Sequence, residues 1–243
     1  MRTITFSIRT AKEIVRDPLT LGFGLGFPLV LLFLLSAIQA NIPVSLFEIQ
    51  NLTPGIIVFG LSFITLFSAT LISKDRTSAL LQRLYTTPMR AYDFILGYIL
   101  PLIPISIMQS VVCFVAAFFL GLKISANILL CLALIVPISL FYISMGLLFG
   151  TLLSDKQVGG ICGALITNLS AWLSGTWFDL SLVGGTFKKI AYSLPFVHAV
   201  EMEKAALSGD FSGFGEDLAY VLGYTAVMLA LSVFVFTRKM KRN

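Results

Sequence analysis

The sequence predicts an all-α membrane protein with six transmembrane helices. Of its 243 residues, 57% are hydrophobic and only 12% are charged, and the mean hydropathy is +0.94. A soluble domain carries about one charged residue in four. The apolar residues also fall in long runs without Lys, Arg, Asp, Glu or His, which can cross a bilayer core of about 30 Å as helices.

Six such runs occur, and each is expected to be helical because lipid offers backbone groups no other hydrogen-bonding partner. The predicted spans are 19–39, 54–73, 94–121, 128–154, 157–178 and 218–237. The other segments complete a single domain over 1–243, with an interface helix in 1–18, a cytoplasmic loop at 74–93 and an outer loop with short helices at 179–217.

The distribution of basic residues predicts the orientation. Thirteen of the 17 Lys and Arg residues lie on the side that holds both termini, whereas Lys123, Lys188, Lys189 and Lys204 lie on the other. Because the cytoplasmic side carries the excess of basic residues, we expect a multi-pass protein of the cell membrane with cytoplasmic termini. The net charge of +5 does not indicate a nucleic-acid partner, since the basic groups flank spans and form no folded basic surface.

The segment before the first span has the pattern of an amphipathic helix. Ile4, Ile8, Ala11 and Val15 share one face at helical spacing, and basic residues occupy the others. Pro18 disfavours helix at the residue before it, so the helix should end near there. A helix of this kind lies in the cytoplasmic interface, where it serves either as an anchor or in gating.

The outer segment 179–217 is apolar enough to form one or two short helices, resting in the outer interface or dipping into it. His198 and Glu201 stand three residues apart, a spacing that could hold a metal ion. The chain has a single His, and two ligands do not make a site. A structural role is therefore favoured, and no metal site is predicted.

The spans contain no ionisable side chain of the kind that proton-coupled carriers and intramembrane enzymes use. The phosphate-binding pattern G-x-x-x-x-G-K-[ST] is also missing from the sequence. We therefore predict no catalytic residue and no cofactor in this chain, so that any transport must be driven by a partner.

Polar side chains within the spans are the candidates for a substrate path. They are Ser62, Thr65, Thr167, Asn168 and Trp172. Asn168 is the most informative, because an amide at membrane depth must find a partner or face a wet cavity. Either an interhelical hydrogen bond or contact with substrate would satisfy it.

The loop at 74–93 lies between two uncharged spans and carries six charged residues, Lys74, Asp75, Arg76, Arg83, Arg90 and Asp93. Its pattern predicts a short helix from Asp75 to Thr87, ended by Pro88. The apolar side of this helix consists of Leu80, Leu81, Leu84 and Tyr85. Such a helix fits a groove on a cytosolic protein, or alternatively lies on lipid headgroups.

The segment DRTSALLQRLYTTPMRAYDFILG resembles the loop between spans two and three of type-2 ABC-transporter permeases, which docks on the ATPase. The matching positions are Asp75, Arg76, Leu81, Arg83, Leu84, Thr87, Pro88 and Gly97. The stretches RDP at 16–18, LSGTWF at 173–178 and SLPFVHAVE at 193–201 resemble the family as well. Together these motifs cover the chain in the family's order.

The resemblance implies a permease subunit, which is not itself an enzyme. Its ATPase-docking residues would be Asp75, Arg76, Leu80, Leu81, Arg83, Leu84, Tyr85, Thr87 and Pro88. The implied partners are two copies of a cytosolic ABC ATPase, which would hold ATP and Mg, a second permease copy or a sister permease, and membrane lipid. Spans one and five would form the contact between the two permeases.

Transport in this family is mostly export of drugs, lipids, peptides or glycans. The 21 Phe residues and the uncharged spans favour a hydrophobic or amphiphilic substrate over a polyanionic sugar chain. Two alternatives stay open. One is export of a polysaccharide or glycolipid, for which the aromatic residues of AWLSGTWF would line the path, and the other is a non-transporting scaffold or peptide-immunity subunit.

Overall fold

The computed structural model describes residues 2–42, 47–78 and 89–240, with the backbone alone at Leu19 and Thr20. All regular structure in this part of the chain is helical. The helices are α1 (Arg2–Val15), α2 (Pro18–Leu21), α3 (Phe27–Gln39), α4 (Ile49–Thr77), α5 (Ala91–Phe119), α6 (Asn127–Leu152), α7 (Asp155–Val158), α8 (Thr167–Leu173), α9 (Leu180–Val183), α10 (Gly185–Tyr192), α11 (Pro195–Ser208) and α12 (Phe214–Met240). Two π-helical segments, Gly22–Gly26 and Gly159–Ile166, join α2 to α3 and α7 to α8.

Five helical segments among the described residues are long and apolar enough to cross a membrane. They are Gly22–Gln39, Ile49–Thr77, Ala91–Phe119, Asn127–Leu152 and Phe214–Met240. The predicted fifth span, 157–178, forms a helical run over 155–173, which is about as long as the first span but includes charged and polar residues such as Asp155, Lys156 and Asn168. The structure thus supports an all-helical, multi-pass protein, while the count of six spans stays a prediction.

Helix α4 is the centre of the bundle. In its most apolar stretch 89% of the residues are buried, against 17% in α12, which packs mainly on α6. Helices α3, α5, α6 and α11 all contact α4, and so does the π-helical segment of the fifth span. A displacement of α4 would therefore disturb every one of these contacts.

Small and hydroxyl-bearing residues let α4 and α6 approach closely. A Cβ added at Gly146 or Gly150 would lie 2.6 Å from the carbonyl oxygen of Thr65 or Ala69, respectively. The hydroxyl of Thr65 donates to the carbonyl of Tyr142 at 3.0 Å. Lipid tails are as apolar as leucine, so helices in a membrane associate through close packing and interhelical hydrogen bonds of this kind.

The apolar stripe of helix α1 is not the face that packs against the rest of the protein. Ile4, Ile8 and Val15 are exposed, while its buried residues are Phe6, Thr10 and Ile14. The exposed apolar stripe suits a helix that lies against lipid headgroups. The opposite face packs on the start of α5, so α1 is a packed helix whose position in the membrane interface stays a prediction.

The outer segment is packed more deeply than a helix that only rests on the membrane surface. Helix α11 contacts α4, α6 and α12, and every residue from Pro195 to Val200 is buried. It is preceded by the short helices α9 and α10 and ends at Gly209, which has a left-handed φ of 78°. The apolar residues of α11 therefore serve the protein core, whereas Leu182, Val183 and Ile190 in α9 and α10 are exposed.

Replacing Gly150 with Ala should destabilise the bundle by about 1–3 kcal/mol, as expected for overpacking. The new methyl group would lie 2.6 Å from the backbone oxygen of Ala69 and 2.8 Å from its Cα, and backbone atoms cannot rotate away. Thermal unfolding of the purified chain measures the effect. The matched control is Gly223→Ala in α12, where no described atom lies within 4 Å of the added Cβ. Equal stability of the two variants would contradict this account of the α4–α6 contact.

Candidate functional site

The predicted docking loop begins where α4 ends. Of its predicted residues the structure describes Asp75 and Arg76. The others, Leu80, Leu81, Arg83, Leu84, Tyr85, Thr87 and Pro88, lie outside the described residues. The structure therefore shows the contacts at both ends of the loop, where α4 ends and where α5 begins.

Asp75 is a buried carboxylate with three hydrogen-bond donors. The guanidinium of Arg9 in α1 donates to it twice, from Nη1 to Oδ2 at 2.6 Å and from Nη2 to Oδ1 at 2.7 Å. The hydroxyl of Tyr98 in α5 donates to Oδ2 at 2.8 Å. Two parallel bonds to one carboxylate are the strongest geometry of this pair. Asp75 thus joins α4 to α1 and α5.

The charge on Arg9 is maintained by this contact. Partial burial by itself lowers the pKa of Arg9, but the hydrogen bonds and the negative charge of Asp75 outweigh burial and leave the pKa raised. Glu13, one turn along α1, adds an ion pair with Arg9 at 2.8 Å. The guanidinium therefore stays cationic at any physiological pH.

Aromatic packing beside the ion pair also holds α1 against α5. The ring of Phe6 in α1 meets the edges of Phe94 and Tyr98 with centroids 5.5 and 5.1 Å apart. Gly97 gives Phe6 its space, because a Cβ there would lie 2.2 Å from the Phe6 ring. The position of α1 on α5 is therefore set by shape as well as by charge.

Arg76 and Ser73, which lie close to Asp75 in the chain, bind the fourth and fifth spans. Nη1 of Arg76 donates to the carbonyl of Gly150 at 2.8 Å and also to that of Thr151 at the end of α6. A cation at a helix C-terminus satisfies carbonyls that have no partner within the helix. The hydroxyl of Ser73 donates to Asp155 in α7 at 3.0 Å.

The leaving side of the loop is tied to the same interface helix. Asp93 is buried at the start of α5, where it accepts hydrogen bonds from the hydroxyl of Thr3 and from the backbone amide of Arg90, the latter at 2.9 Å. Helix α1 therefore binds α4 just before the loop, through Arg9, and α5 just after it, through Thr3. We call Ser73, Asp75, Arg76 and Asp93 the loop base.

The candidate path residues fall into two groups. Ser62, Thr65 and Thr167 are buried, and their hydroxyls donate to the carbonyls of Phe59, Tyr142 and Cys162 at 2.6, 3.0 and 3.1 Å. In the protomer these three groups are thus satisfied by backbone. Asn168 and Trp172 are instead exposed, one turn apart on the same face of the fifth span.

Asn168 does not use its side chain to join two helices of the protomer. Its Nδ2 donates to the carbonyl of Ala164 in the same helix at 2.8 Å. The exposed residues around it are Gly160, Ala164, Leu165 and Leu169. This face is mostly apolar, and it presents one amide and one indole ring.

Sequence reasoning did not find the partners of the loop base. Arg9 was one of several basic residues flanking the first span, and Tyr98 was hidden in an apolar run. The available signal was Asp75 itself, since a carboxylate at the end of a span must be paired or solvated. Its partners lie 66 and 23 residues away, so the sequence alone cannot identify them.

Comparison with family models finds a match over residues 2–206, to the family described as ABC-2 type transporter. The matched range includes α1, the loop base and most of α11. The chain belongs to the ABC-2 type transporter family. Comparison with curated proteins gives no match.

Membership in the ABC-2 family identifies the chain as a membrane component of an ABC transporter and a multi-pass membrane protein. Such components are typically not catalytic themselves, and the family in general works with an ATPase partner. The loop base lies on the segment that the resemblance assigns to ATPase docking in ABC-2 permeases.

Replacing Tyr98 with Phe should lower the free energy of unfolding by about 2 kcal/mol, the value of a buried hydrogen bond to a charged group. The aromatic ring and its packing on Phe6 remain, so the loss reports the hydroxyl group, which donates to Asp75. Thermal or denaturant unfolding measures it. Tyr92→Phe is the control, because Tyr92 is an exposed tyrosine on the same helix. Stabilities that do not differ between the two variants would disprove the role of this bond.

Proposed function

We propose that the chain is the permease subunit of an ATP-driven exporter, and that it receives mechanical input at the loop base. The observation that carries this proposal is the set of bonds made by the last turn of α4. Within four residues, Ser73, Asp75 and Arg76 bind α7, α1, α5 and α6. A movement of the loop that follows this turn would reach all four elements.

The physical basis of the coupling is that breaking the bonds of Asp75 is costly. A buried carboxylate that loses its partner leaves an uncompensated charge, which costs about 3–5 kcal/mol. When the loop moves, displacing α1 and α5 together with α4 is therefore cheaper than breaking their contacts. Two copies of a cytosolic ABC ATPase would supply the movement from ATP and Mg, and this chain would hold neither.

The exposed face of the fifth span supports a hydrophobic or amphiphilic substrate, such as a drug, lipid or peptide. Leu165, Leu169 and Trp172 offer apolar surface to such a molecule, and Asn168 offers one hydrogen-bonding group. We infer that the substrate leaves the cytoplasm or the inner leaflet along this face. Trp172 packs near Phe178 with centroids 5.9 Å apart, an aromatic pair that would also suit a glycan, the second candidate substrate.

The same face is the best candidate for contact with a second permease copy or a sister permease. In the first span, Gly22 and Gly26 have no described atom within 4 Å of an added Cβ, and the same is true of Gly159 and Gly160 in the fifth span. Glycines exposed on a membrane helix allow another helix to pack closely. The proposed dimer would place spans one and five of both subunits around the path.

Replacing Leu84 with Asp should detach the ATPase without preventing membrane insertion. The change would place a charge in the apolar contact of the docking helix, at a cost of a few kcal/mol. Co-purification with the partner ATPase and transport by the complex measure the effect. The matched control is Leu182→Asp, which adds the same charge at an exposed leucine in α9. Wild-type behaviour of the Leu84 variant would show that the docking assignment is wrong.

Replacing Asn168 with Leu should change which amphiphiles stimulate the ATPase while leaving assembly and thermal stability intact. The amide is exposed and bonded within its own helix, so its loss breaks no described contact between helices. Stimulation by a panel of amphiphiles and unfolding of the same variant should be measured together. A uniform loss for all amphiphiles, accompanied by lower stability, would instead assign Asn168 to dimer packing and remove it from the path.

A further inference from the structure

A second cluster of charged groups lies at the opposite end of the bundle from the loop base. Gln50 and Asn51 at the start of α4 line its cavity, and Asp75 lies near the other end of the same helix, about 36 Å away at 1.5 Å per residue. The predicted topology places this end outside the cell. The cluster consists of His198 and Glu201 in α11 and Asp217 in the first turn of α12.

The three side chains converge on one point. One ligand atom from each, an imidazole nitrogen or a carboxylate oxygen, lies within 4.8 Å of the other two. In a tetrahedral site with metal–ligand bonds of about 2.0 Å, such atoms stand about 3.3 Å apart. His198 and Glu201 share a face of α11 because they are three residues apart. Small rotations of side chains are thus enough to bring the three atoms to coordinating distance.

The imidazole of His198 is already oriented for this task. Its Nε2 donates to the backbone carbonyl of Tyr192 at 2.9 Å, which directs Nδ1 towards Asp217 at 2.7 Å. A stacked ring, that of Tyr220, lies 4.0 Å away and fixes the plane of the imidazole. Metal-binding histidines commonly donate their second ring nitrogen to a backbone carbonyl or a carboxylate in this way.

The carboxylates are also held, and the site is open on one side. The hydroxyl of Tyr192 donates to Oε1 of Glu201, which leaves the second carboxylate oxygen available. Both acids and His198 line a cavity of about 600 Å³. Water or an ion can enter this cavity, and a three-ligand site leaves a fourth position for water.

We propose that His198, Glu201 and Asp217 form a binding site for a divalent transition-metal ion of the zinc class. One imidazole and two carboxylates suit such an ion, and the two negative charges balance its charge of +2. The sequence favours a structural role for His198 and Glu201 because it offers only two ligands close together. The fold adds the third from α12, sixteen residues beyond Glu201.

A metal ion at this site would fasten α11 to the last span. Helix α11 packs against α4, α6 and α12, so its position determines how the bundle closes at this end. The bound ion would therefore control the outer end of the permease from outside, whether or not an ATPase docks at the loop base.

Zinc binding to the purified full-length chain tests the proposal, with an affinity tag that contains no histidine. The chain has one His, and its three Cys residues are buried in the bundle, so a histidine-dependent signal can come only from this site. Titration with Zn²⁺ and metal analysis after desalting should give one ion per chain. Zn²⁺ should also raise the unfolding temperature, whereas Mg²⁺ at the same concentration should not.

Variants separate the site from other acidic groups. His198→Ala and Asp217→Asn should weaken zinc binding about 100-fold or more, and Tyr192→Phe about 10-fold, because it removes a bond that orients Glu201. Lys204→Met should strengthen binding, since Lys204 is a competing cation on the same cavity wall. Glu216→Gln is the control, a carboxylate that lines the cavity outside the cluster, and it should bind zinc as the wild type does.

Two results would overturn the proposal. Zinc that is not retained by the wild type would mean that His198 and Asp217 form an ion pair only. Zinc retained equally by the wild type and His198→Ala would mean binding to scattered carboxylates. If His198→Ala fails to fold, Glu201→Gln decides, because Glu201 is only partly buried and its loss should abolish zinc retention in a folded chain.

Discussion

The burial of one carboxylate, that of Asp75, determines how the loop base of this permease is built. A charge removed from water must be paired and hydrogen-bonded, or the structure is destabilised by several kcal/mol. Arg9 and Tyr98 meet this requirement, and they come from the interface helix and from the third span. These bonds hold α1, α4 and α5 together at the loop base.

The position of Asp75 on α4 extends the effect of this pairing through the bundle. Helix α4 is the most enclosed of the candidate spans, and its contact with α6 is fixed by glycines that leave no space for relative sliding. Arg76 adds a direct bond to the end of α6, and Ser73 adds one to the start of the fifth span. Under the proposed function, a movement of the loop base would therefore be passed on through packed backbone to α6 and the fifth span.

The interface position of α1 and the docking role of Asp75 and Arg76 stay predictions, whereas the sequence was sufficient for the helical class and the transporter family. It was insufficient for the faces that the helices bury, because lipid and protein core both accept apolar side chains. Helix α1 illustrates this limit, since the apolar stripe that includes Ile4 and Ile8 is exposed while Phe6 is buried. Partners distant in the chain were also unpredictable, because neither periodicity nor composition links Arg9 to Asp75, or Asp217 to His198.

A double-mutant cycle between Arg9 and Asp75 tests the central claim most directly, with amphiphile-stimulated ATP hydrolysis by the assembled complex as the measured quantity. The variants are Arg9→Gln, Asp75→Asn and the two combined. If the pair acts as one unit in coupling, each single variant should lose stimulation and the double variant should lose no more, which corresponds to an interaction energy of about 1 kcal/mol or above. Losses that multiply independently, or full stimulation in all three variants, would contradict transmission through this contact.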